Sequence, residues 1–211
     1  MAKRGYDNSR RTESARQTRA RIVAAAYDLL LDGSYGEMTV AGLARAAGVS
    51  PQTVYNSIGG KAEVVKAVYD VTLAGDDDPT PMSQRPQFLA MRESADAAGF
   101  LRAYAGWTRV IYEHVGPLLG VLLHGGAGDD TTLRDFLATI EAERRTGSGH
   151  ALDGLAASHG IPTPPGRDRL HDIVWTLTAP EVADRLVRRC GWSPDEYERW
   201  LGDQLVAAIA R

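Results

Sequence analysis

Two helix starts that lie close together constrain this chain more than any other feature. Thr39 precedes VAGLARAAG, whose apolar residues recur at helical spacing, and Gly48 then supplies a turn. Ser50 followed by Pro51 is typical of a helix N-cap and first helical position. The stretch GVSPQTVYNSIGGKAE, residues 48–63, is therefore expected to hold a turn, a helix of about two turns and the start of a further helix. This spacing predicts a helix-turn-helix.

The second helix of this pair carries small or amide-bearing side chains on its exposed face. They are Pro51, Gln52, Thr53, Tyr55, Asn56 and Ser57. Such groups can hydrogen-bond base edges or phosphates without blocking close approach, which favours a recognition helix. An ordinary solvated surface helix can have the same composition, so both interpretations stay open on composition alone.

The charge of the chain is unevenly distributed. Residues 1–21 carry a net charge of +5, so the remainder carries −8 within a whole-chain charge of −3. A basic arm on an acidic body indicates either a segment that binds a polyanion or an idle solvated tail. The first helix is expected to begin near Ser14 or earlier and to end at Asp32-Gly33-Ser34.

Residues 18–68 together resemble the DNA-binding domain of the tetracycline-repressor (TetR) family of bacterial transcriptional regulators. The ordered matches include the Ala-Gly-Val-Ser turn, the Val-Tyr of the second helix and Lys61-x-Glu63. The resemblance implies phosphate contacts by Thr39, Tyr55 and Lys61, and base contacts by Gln52 and Thr53. The full set of expected DNA contacts is Arg11, Arg16, Thr39, Arg45, Ser50, Gln52, Thr53, Tyr55, Asn56 and Lys61.

The chain departs from the family pattern at several positions. Ser57 and Ile58 stand where the family commonly has an aromatic or histidine followed by phenylalanine, Gly59-Gly60 replaces a stiffer lead-in, and Ala41-Gly42 replaces a charged pair. These departures reduce the polar contacts expected from the domain itself. The basic arm is expected to compensate through sequence-independent attraction to phosphates.

A larger second domain is predicted after the first, with residues 1–66 and 67–211 as the two domains. An acidic, proline-rich connection at residues 75–86 is followed by an aromatic stripe from Phe100, which is expected to end at Gly116-Pro117. Such a stripe fits either a pocket wall or plain core packing. The candidate ligand-binding residues are Tyr104, Trp107, Ile111, His114, Leu118 and Trp175.

The end of the chain also resembles regulators of this family, in the runs WTLTAPE and GWSPDEYERWL. A long helix is expected from about Thr131, with Gly147-Ser148-Gly149 either breaking it or admitting a neighbouring helix, and residues 159–168 as a connector. Ser193 to Glu196 form a predicted capping box. The face that follows is Tyr197, Trp200, Leu201, Gln204, Leu205 and Ala208. The resemblance implies that this face packs with residues 131–158 in a four-helix interface between two subunits.

The resemblance therefore implies an all-α fold, with an N-terminal three-helix helix-turn-helix domain and a larger C-terminal helical ligand-binding and dimerisation domain. The expected function is that of a ligand-responsive transcriptional regulator. It would be a homodimeric repressor that leaves a palindromic operator on double-stranded DNA when a small, largely apolar effector binds. An activator of the same fold, or a regulator controlled by a protein partner, is the alternative, and an enzyme is a remote one.

Other classes of site find little support in the sequence. The five histidines show no metal-binding spacing, no serine lies in a Gly-x-Ser-x-Gly turn, and HGGAGDD, residues 124–130, reads as an interhelical loop. We expect no cofactor, metal or catalytic residue, and Cys190 as a small buried apolar residue. Because no apolar run approaches the ~20 residues of a membrane span and the start is charged, a cytoplasmic protein without membrane contact is expected.

Overall fold

The computed structural model describes residues 3–33, 35–75, 80–81, 84–124 and 131–210, with the backbone alone described for residues 3–9, Gln87 and His124. Within these ranges the chain is helical and contains no strand, which confirms the all-α prediction. It divides into two compact units. The amino-terminal unit comprises Met1–Leu73 and Pro117–Phe136, and the carboxy-terminal unit comprises Ala74–Gly116 and Leu137–Arg211. The predicted domain boundary between residues 66 and 67 remains a prediction.

The amino-terminal unit begins with α1, Lys3–Asp32, which starts well before Ser14. Its residues 10–17 are exposed all round, whereas Ile22, Ala26 and Leu30 are fully buried, so among the described side chains of α1 those of its second half form the core contacts. The predicted basic arm is thus the first part of a helix.

Helices α2, Val40–Ala46, and α3, Pro51–Ser57, form the helix-turn-helix and pack against α1 and each other. Both predicted caps are confirmed, because Thr39 Oγ1 accepts from Gly42 N at 3.0 Å and Ser50 Oγ accepts from Thr53 N at 3.1 Å. Gly48 has a φ of +65°, the left-handed conformation expected in such a turn. Helix α4, Lys61–Ala74, follows.

The carboxy-terminal unit contains shorter helices between long ones. Its elements are α5, Pro86–Ala90; a 3-10 turn, Met91–Glu93; α6, Ala97–His124; α7, Thr131–His159; α8, Arg167–Leu177; α9, Pro180–Ala183, continuing as a π-helical turn, Asp184–Arg189; and α10, Pro194–Ile209. The last residues of α6 and the first of α7 belong to the amino-terminal unit. The connector predicted at 159–168 is confirmed. Much of the connection predicted at 75–86, and the loop predicted within 124–130, lie outside the described residues.

The core of the carboxy-terminal unit is built from α6, α7, α8 and α10. Its largest fully buried side chains include Phe100, Leu152, Leu170, Tyr197 and Leu201. The capping box at the start of α10 is confirmed, since Ser193 Oγ accepts from Glu196 N and Glu196 Oε2 accepts from Ser193 N at 2.7 Å. The Glu196 carboxylate accepts from both Ser193 N and Ser193 Oγ, and these hydrogen bonds lower its pKa because they favour its charged form.

One expectation about a helix end is wrong, and one of the two alternatives for Gly147-Ser148-Gly149 is excluded. Helix α6 does not end at Gly116-Pro117 but continues through Pro117 to His124. Proline removes one backbone hydrogen bond, yet Val115, Leu118 and Leu122 on either side of it are buried. Helix α7 likewise runs unbroken through residues 147–149, and a Cβ placed on Gly149 would lie only 3.4 Å from the His171 ring. Helix α8 thus comes within contact distance of α7 at this glycine.

Two side-chain expectations are wrong. Cys190 is exposed, because it lies in the turn between the π-helical turn and α10. The apolar face of α10 is not reserved for a second subunit, because Tyr197, Leu201 and Leu205 are already buried inside their own chain. Of the six residues predicted on that face, Gln204 and Ala208 are exposed and Trp200 is half-buried.

Candidate DNA interface and effector-domain core

The exposed face of α3 displays the side chains expected to read DNA. Val54 is fully buried and fixes the helix on α1 and α2, while Tyr55 on the other side is 53% exposed. Gln52 Nε2 donates to Asn56 Oδ1 at 2.9 Å, and the hydroxyls of Ser50 and Thr53 lie 2.8 Å apart. The predicted base-reading side chains thus form two ordered polar pairs on one surface.

The end of α3 is held by an arginine from α1. Arg19 Nη1 donates to the carbonyl oxygen of Ser57 at 3.4 Å, so its guanidinium lies at the negative end of the α3 dipole. Arg19 was not among the predicted contacts, although its charge and its place in α1 were visible in the sequence. Ser57 stands where the family commonly has an aromatic residue or histidine. Its backbone carbonyl is held by a side chain of α1.

The residues around the start of α4 form a second cluster of predicted phosphate contacts. Lys61 Nζ lies 4.1 Å from the centre of the Tyr35 ring and donates to the carbonyl oxygen of Gly36 at 3.4 Å. A Cβ on Gly60 would lie 3.8 Å from Tyr55 Cε1, so the Tyr55 ring reaches back towards Lys61. Gly59 has a φ of +134°, which only glycine adopts easily. The glycine pair thus lets α4 start directly beside α3.

Three of the predicted basic contacts, Arg11, Arg16 and Arg45, are exposed, whereas Lys61 is half-buried. Arg16 pairs with Glu13 at 3.2 Å along the exposed part of α1, and Arg11 lies on the same exposed stretch. Arg45, in the last turn of α2, reaches back over that helix, since its Nη2 would lie 3.9 Å from a Cβ on Gly42. Each of these cations is therefore accessible to a polyanion.

The six predicted ligand-binding residues occupy different surroundings. Tyr104 is buried, Trp107 packs against the core of the carboxy-terminal unit, and Ile111 is half-buried. His114 is exposed and lies over the backbone of Gly75. Leu118 is fully buried in the amino-terminal unit, and Trp175 lies under the Arg145 guanidinium at 4.8 Å. Of the six, Tyr104 lies in the core of the carboxy-terminal unit and Trp107 packs against that core.

The core around Tyr104 contains little empty space. A cavity of about 10 Å³ is lined by Phe100, Leu101, Tyr104, Ala151, Leu152, Leu155 and Val174. That space holds about one water molecule. Burial raises the pKa of Tyr104 to about 12, with Arg144 and a hydrogen bond from Thr178 acting in the opposite direction. A bound molecule would therefore need the core to open.

Arg144 of α7 links α7 to the carboxyl end of α8. Its Nη1 donates to the carbonyl oxygen of Thr178 at 2.9 Å, and its Nε donates to Glu141 at 3.0 Å. It also donates to the carbonyl of Trp175, so a largely buried cation satisfies the carboxyl end of α8. Sequence reasoning missed this residue, because its spacing does not show which helix end it meets.

The described residues show neither a metal-binding group nor a membrane-spanning helix. Among the described residues, no group of three or more histidines, cysteines or carboxylates is placed to hold a metal ion. In the same part of the chain, no helix has both the length and the apolar composition that a bilayer crossing requires.

The helix-turn-helix segment also matches a known protein family. Residues 22–68 match the family model described as bacterial regulatory proteins, tetR family. These residues run from the buried half of α1 through α3 into α4. A search of curated protein sequences gave no match.

Several solved structures share the fold over almost the whole chain. NalD of Pseudomonas aeruginosa has a TM-score of 0.69 at 18% identity, covering 92% of this chain and 98% of that one. The transcriptional regulator FadR of Bacillus subtilis, in complex with stearoyl-CoA, has a TM-score of 0.68 at 15% identity, covering 90% and 98%. MexZ of Pseudomonas aeruginosa has a TM-score of 0.55 at 21% identity, covering 91% and 94%. The helix-turn-helix segment thus matches the tetR-family model over residues 22–68, and the chain shares its fold with these regulators along almost its whole length.

Proposed function

We propose that this protein is a repressor that binds a palindromic operator as a homodimer and is released when a small, largely apolar molecule binds its carboxy-terminal unit. The observation that carries this proposal is the exposed, uncharged and polar face of α3. A face of this kind suits hydrogen bonding to base edges in the major groove, while cations elsewhere hold the phosphates.

In the proposed complex with DNA, some side chains contact bases and others contact phosphates. Gln52, Thr53 and Asn56 are expected to meet base edges. Thr39, Arg45, Tyr55 and Lys61 are expected to meet phosphates, with Arg11 and Arg16 adding charge from α1. The helix N-termini at Thr39 and Ser50 already offer backbone N–H groups to an anion. One such unit reads one half-site.

Two half-sites require two subunits. A two-fold dimer places its recognition helices about one turn of DNA apart, ~34 Å or a little more. On α10, Gln204 and Ala208 are exposed and Trp200 is half-buried, and these residues remain available to a second copy after Tyr197, Leu201 and Leu205 are buried. We expect the interface to use this outer side of α10.

Effector binding is proposed to act by enlarging the small cavity in the core of the carboxy-terminal unit. Small-molecule pockets usually occupy ~300–1,000 Å³, whereas the cavity beside Tyr104 has about 10 Å³. A ligand that binds only the open core shifts the protein towards that conformation, and a coupling of ~1–3 kcal/mol changes operator affinity by roughly 5- to 150-fold. NalD and MexZ are described as repressors, and FadR was solved with stearoyl-CoA, so this fold can combine both properties.

Selection from randomised double-stranded DNA tests the operator claim directly. The expected product is an inverted repeat protected by the protein on both half-sites, and a single half-site bound by a monomer would contradict the proposal. Footprinting the operator against its promoter then separates repression from activation. A thermal-shift screen followed by operator release tests the effector. If Trp107→Ala keeps its full ligand response, Trp107 does not belong to the site.

A further inference from the structure

Two tyrosine hydroxyls in the carboxy-terminal unit are buried without a hydrogen-bond partner. Tyr197 of α10 is 1% exposed, and Tyr112 of α6 is half-buried with its hydroxyl oxygen inaccessible. A buried hydroxyl without a partner is costly and uncommon, and an explanation is needed when two occur together.

The two rings belong to one aromatic cluster. Their centres lie 6.2 Å apart at an angle of 52°, and the Trp200 ring stacks on Tyr197 at 6.4 Å with an angle of 30°. Trp192 meets Trp200 edge-on at 6.1 Å. Trp192 and Trp200 are only half-buried, so the cluster runs from the core towards the surface. Aromatic walls with a few polar groups at one end suit a flat, mainly apolar ligand.

Both hydroxyls are suited to donate. Burial, together with Asp184 for Tyr112 and the neighbouring tyrosines for Tyr197, raises the pKa of each phenol above its ordinary value. They therefore keep their protons at neutral pH. An acceptor oxygen that reached them would gain hydrogen bonds without displacing any existing partner.

The charges near this cluster already have counter-ions. Asp184 lies 3.6 Å from Arg188 and 3.2 Å from Arg189, and Arg144 lies 3.0 Å from Glu141. Of these groups only Asp184 and Arg144 are largely buried, and each is already paired, so a charged ligand that entered the cluster would lose its hydration without gaining an unpaired buried counter-ion. The surroundings therefore favour an uncharged molecule.

The neighbouring segment is the π-helical turn Asp184–Arg189. A π-helical turn is rare and is frequently found at functional sites. None of its residues is fully buried, whereas the helices that contribute Tyr112 and Tyr197 are anchored by buried residues. The turn is thus the element beside Tyr112 that can shift with the least loss of packing.

We propose that the hydroxyls of Tyr112 and Tyr197 are the polar end of the effector site, and that they bind an uncharged, flat aromatic molecule through a ketone or similar carbonyl oxygen. The inference rests on the proposed effector-controlled function and names the chemistry of its ligand. The two hydroxyls donate to the carbonyl, and the rings of Tyr197, Trp200 and Trp192 cover its aromatic part.

Matched ketones and hydrocarbons test this assignment on the full-length protein without DNA. The probes are acetophenone, benzophenone and fluorenone, each with the hydrocarbon in which a methylene replaces the carbonyl: ethylbenzene, diphenylmethane and fluorene. Binding is measured by calorimetry and tryptophan fluorescence. At least one ketone is expected to bind on the order of tenfold more tightly than its hydrocarbon. Equal affinity within every pair, or no binding of any ketone, would overturn the proposal.

Tyr112→Phe and Tyr197→Phe are the decisive variants, because each removes only a hydroxyl. The ketone preference is expected to fall to within about twofold in each, while the melting temperature without ligand stays equal or rises. Tyr27→Phe, at a half-buried tyrosine of the amino-terminal unit, is the matched control and should keep the preference. Unchanged ketone preference in both variants, or a marked fall in their melting temperature, would refute the role of the hydroxyls.

Operator binding by the same preparations separates this inference from the proposed function. If the protein binds its operator but no ketone, the proposed repressor function is retained and the proposed ketone site is refuted. If a ketone binds through the two tyrosines but never changes operator affinity, the proposed binding site is retained and the effector-controlled function is refuted.

Discussion

Gln52 Nε2 donates a hydrogen bond of 2.9 Å to Asn56 Oδ1, one turn further along the exposed face of α3. Side-chain amides pair with adenine in two hydrogen bonds, to N6 and N7, whereas guanine is usually read by arginine or lysine. Helix α3, PQTVYNS, contains neither arginine nor lysine. We therefore expect α3 to favour A·T pairs over G·C pairs in the proposed complex with the major groove.

The first prediction follows for the operator. DNA selected by the wild-type protein should have adenine at one or two positions of each half-site, and replacing such an A·T pair should weaken binding by ~1–3 kcal/mol. Gln52→Ala should relax the preference at one of these positions only. Fluorescence anisotropy with single-substituted operators measures both effects.

Lys61→Ala is the matched control for this experiment. Since Lys61 is expected to contact a phosphate, its removal should weaken binding to all sequences about equally. A Gln52→Ala protein that loses affinity uniformly, without any change in base preference, would show that Gln52 does not read bases.

The second prediction concerns the exposed start of α1. Replacing Arg10 and Arg11 with glutamine should weaken operator binding and make log K less dependent on log salt, by about one unit of slope for each lost phosphate contact. Arg92→Gln, at an exposed arginine of the carboxy-terminal unit, should leave the slope unchanged. Identical slopes for the double variant and the wild type would leave α1 without a role in DNA binding. Deleting residues 1–11 is expected to act in the same direction.

Helix starts were predictable because their signals are local. Thr39, Ser50 and Ser193 each bond a backbone N–H within their own first turn, so the residue and its neighbours suffice to place the helix. The same holds for the turn at Gly48, where φ is +65°. These signals recovered the helix-turn-helix and the start of α10 from the sequence.

Most of the failures depend on distant contacts. Pro117 signals a helix end locally, but the buried leucines around it keep α6 intact. The apolar face of α10 indicated burial correctly, yet periodicity cannot show whether the covering surface belongs to the same chain. Arg19 and Arg144 hold the ends of helices far away in sequence, and no spacing rule identifies such partners.

The third prediction tests the capping box of α10. Ser193→Ala removes the side-chain acceptor of Glu196 N and should lower the free energy of unfolding by about 1 kcal/mol. Urea denaturation followed by circular dichroism measures this change. Ser14→Ala, on the exposed part of α1, should change stability by less than about 0.5 kcal/mol. Equal effects of the two substitutions would contradict the role of the cap.

The fourth prediction concerns alkaline pH. The unfolded chain releases the Tyr104 proton near pH ~10, whereas the folded protein holds it until about 12. The folded state therefore binds more protons in this range, and stability falls as pH rises. Between about pH 9 and about pH 11 the wild type should lose about 1 kcal/mol more than Tyr104→Phe. Urea midpoints at each pH measure this, with the values at neutral pH subtracted to remove the packing cost. Parallel pH profiles would contradict the prediction.

The fifth prediction separates the inner and outer sides of α10. Leu201 is fully buried in its own chain, so Leu201→Ala should lower the free energy of unfolding by ~2–5 kcal/mol. Ala208 is exposed, and Ala208→Glu should instead weaken the proposed dimer by placing a charge in its interface. Sedimentation equilibrium should then show monomers at a concentration where the wild type is dimeric, with the helical circular dichroism spectrum retained. Ala103→Glu, at an exposed alanine of α6, is the matched control and should stay dimeric. If Ala208→Glu also stays dimeric, the subunits meet through a surface other than this side of α10.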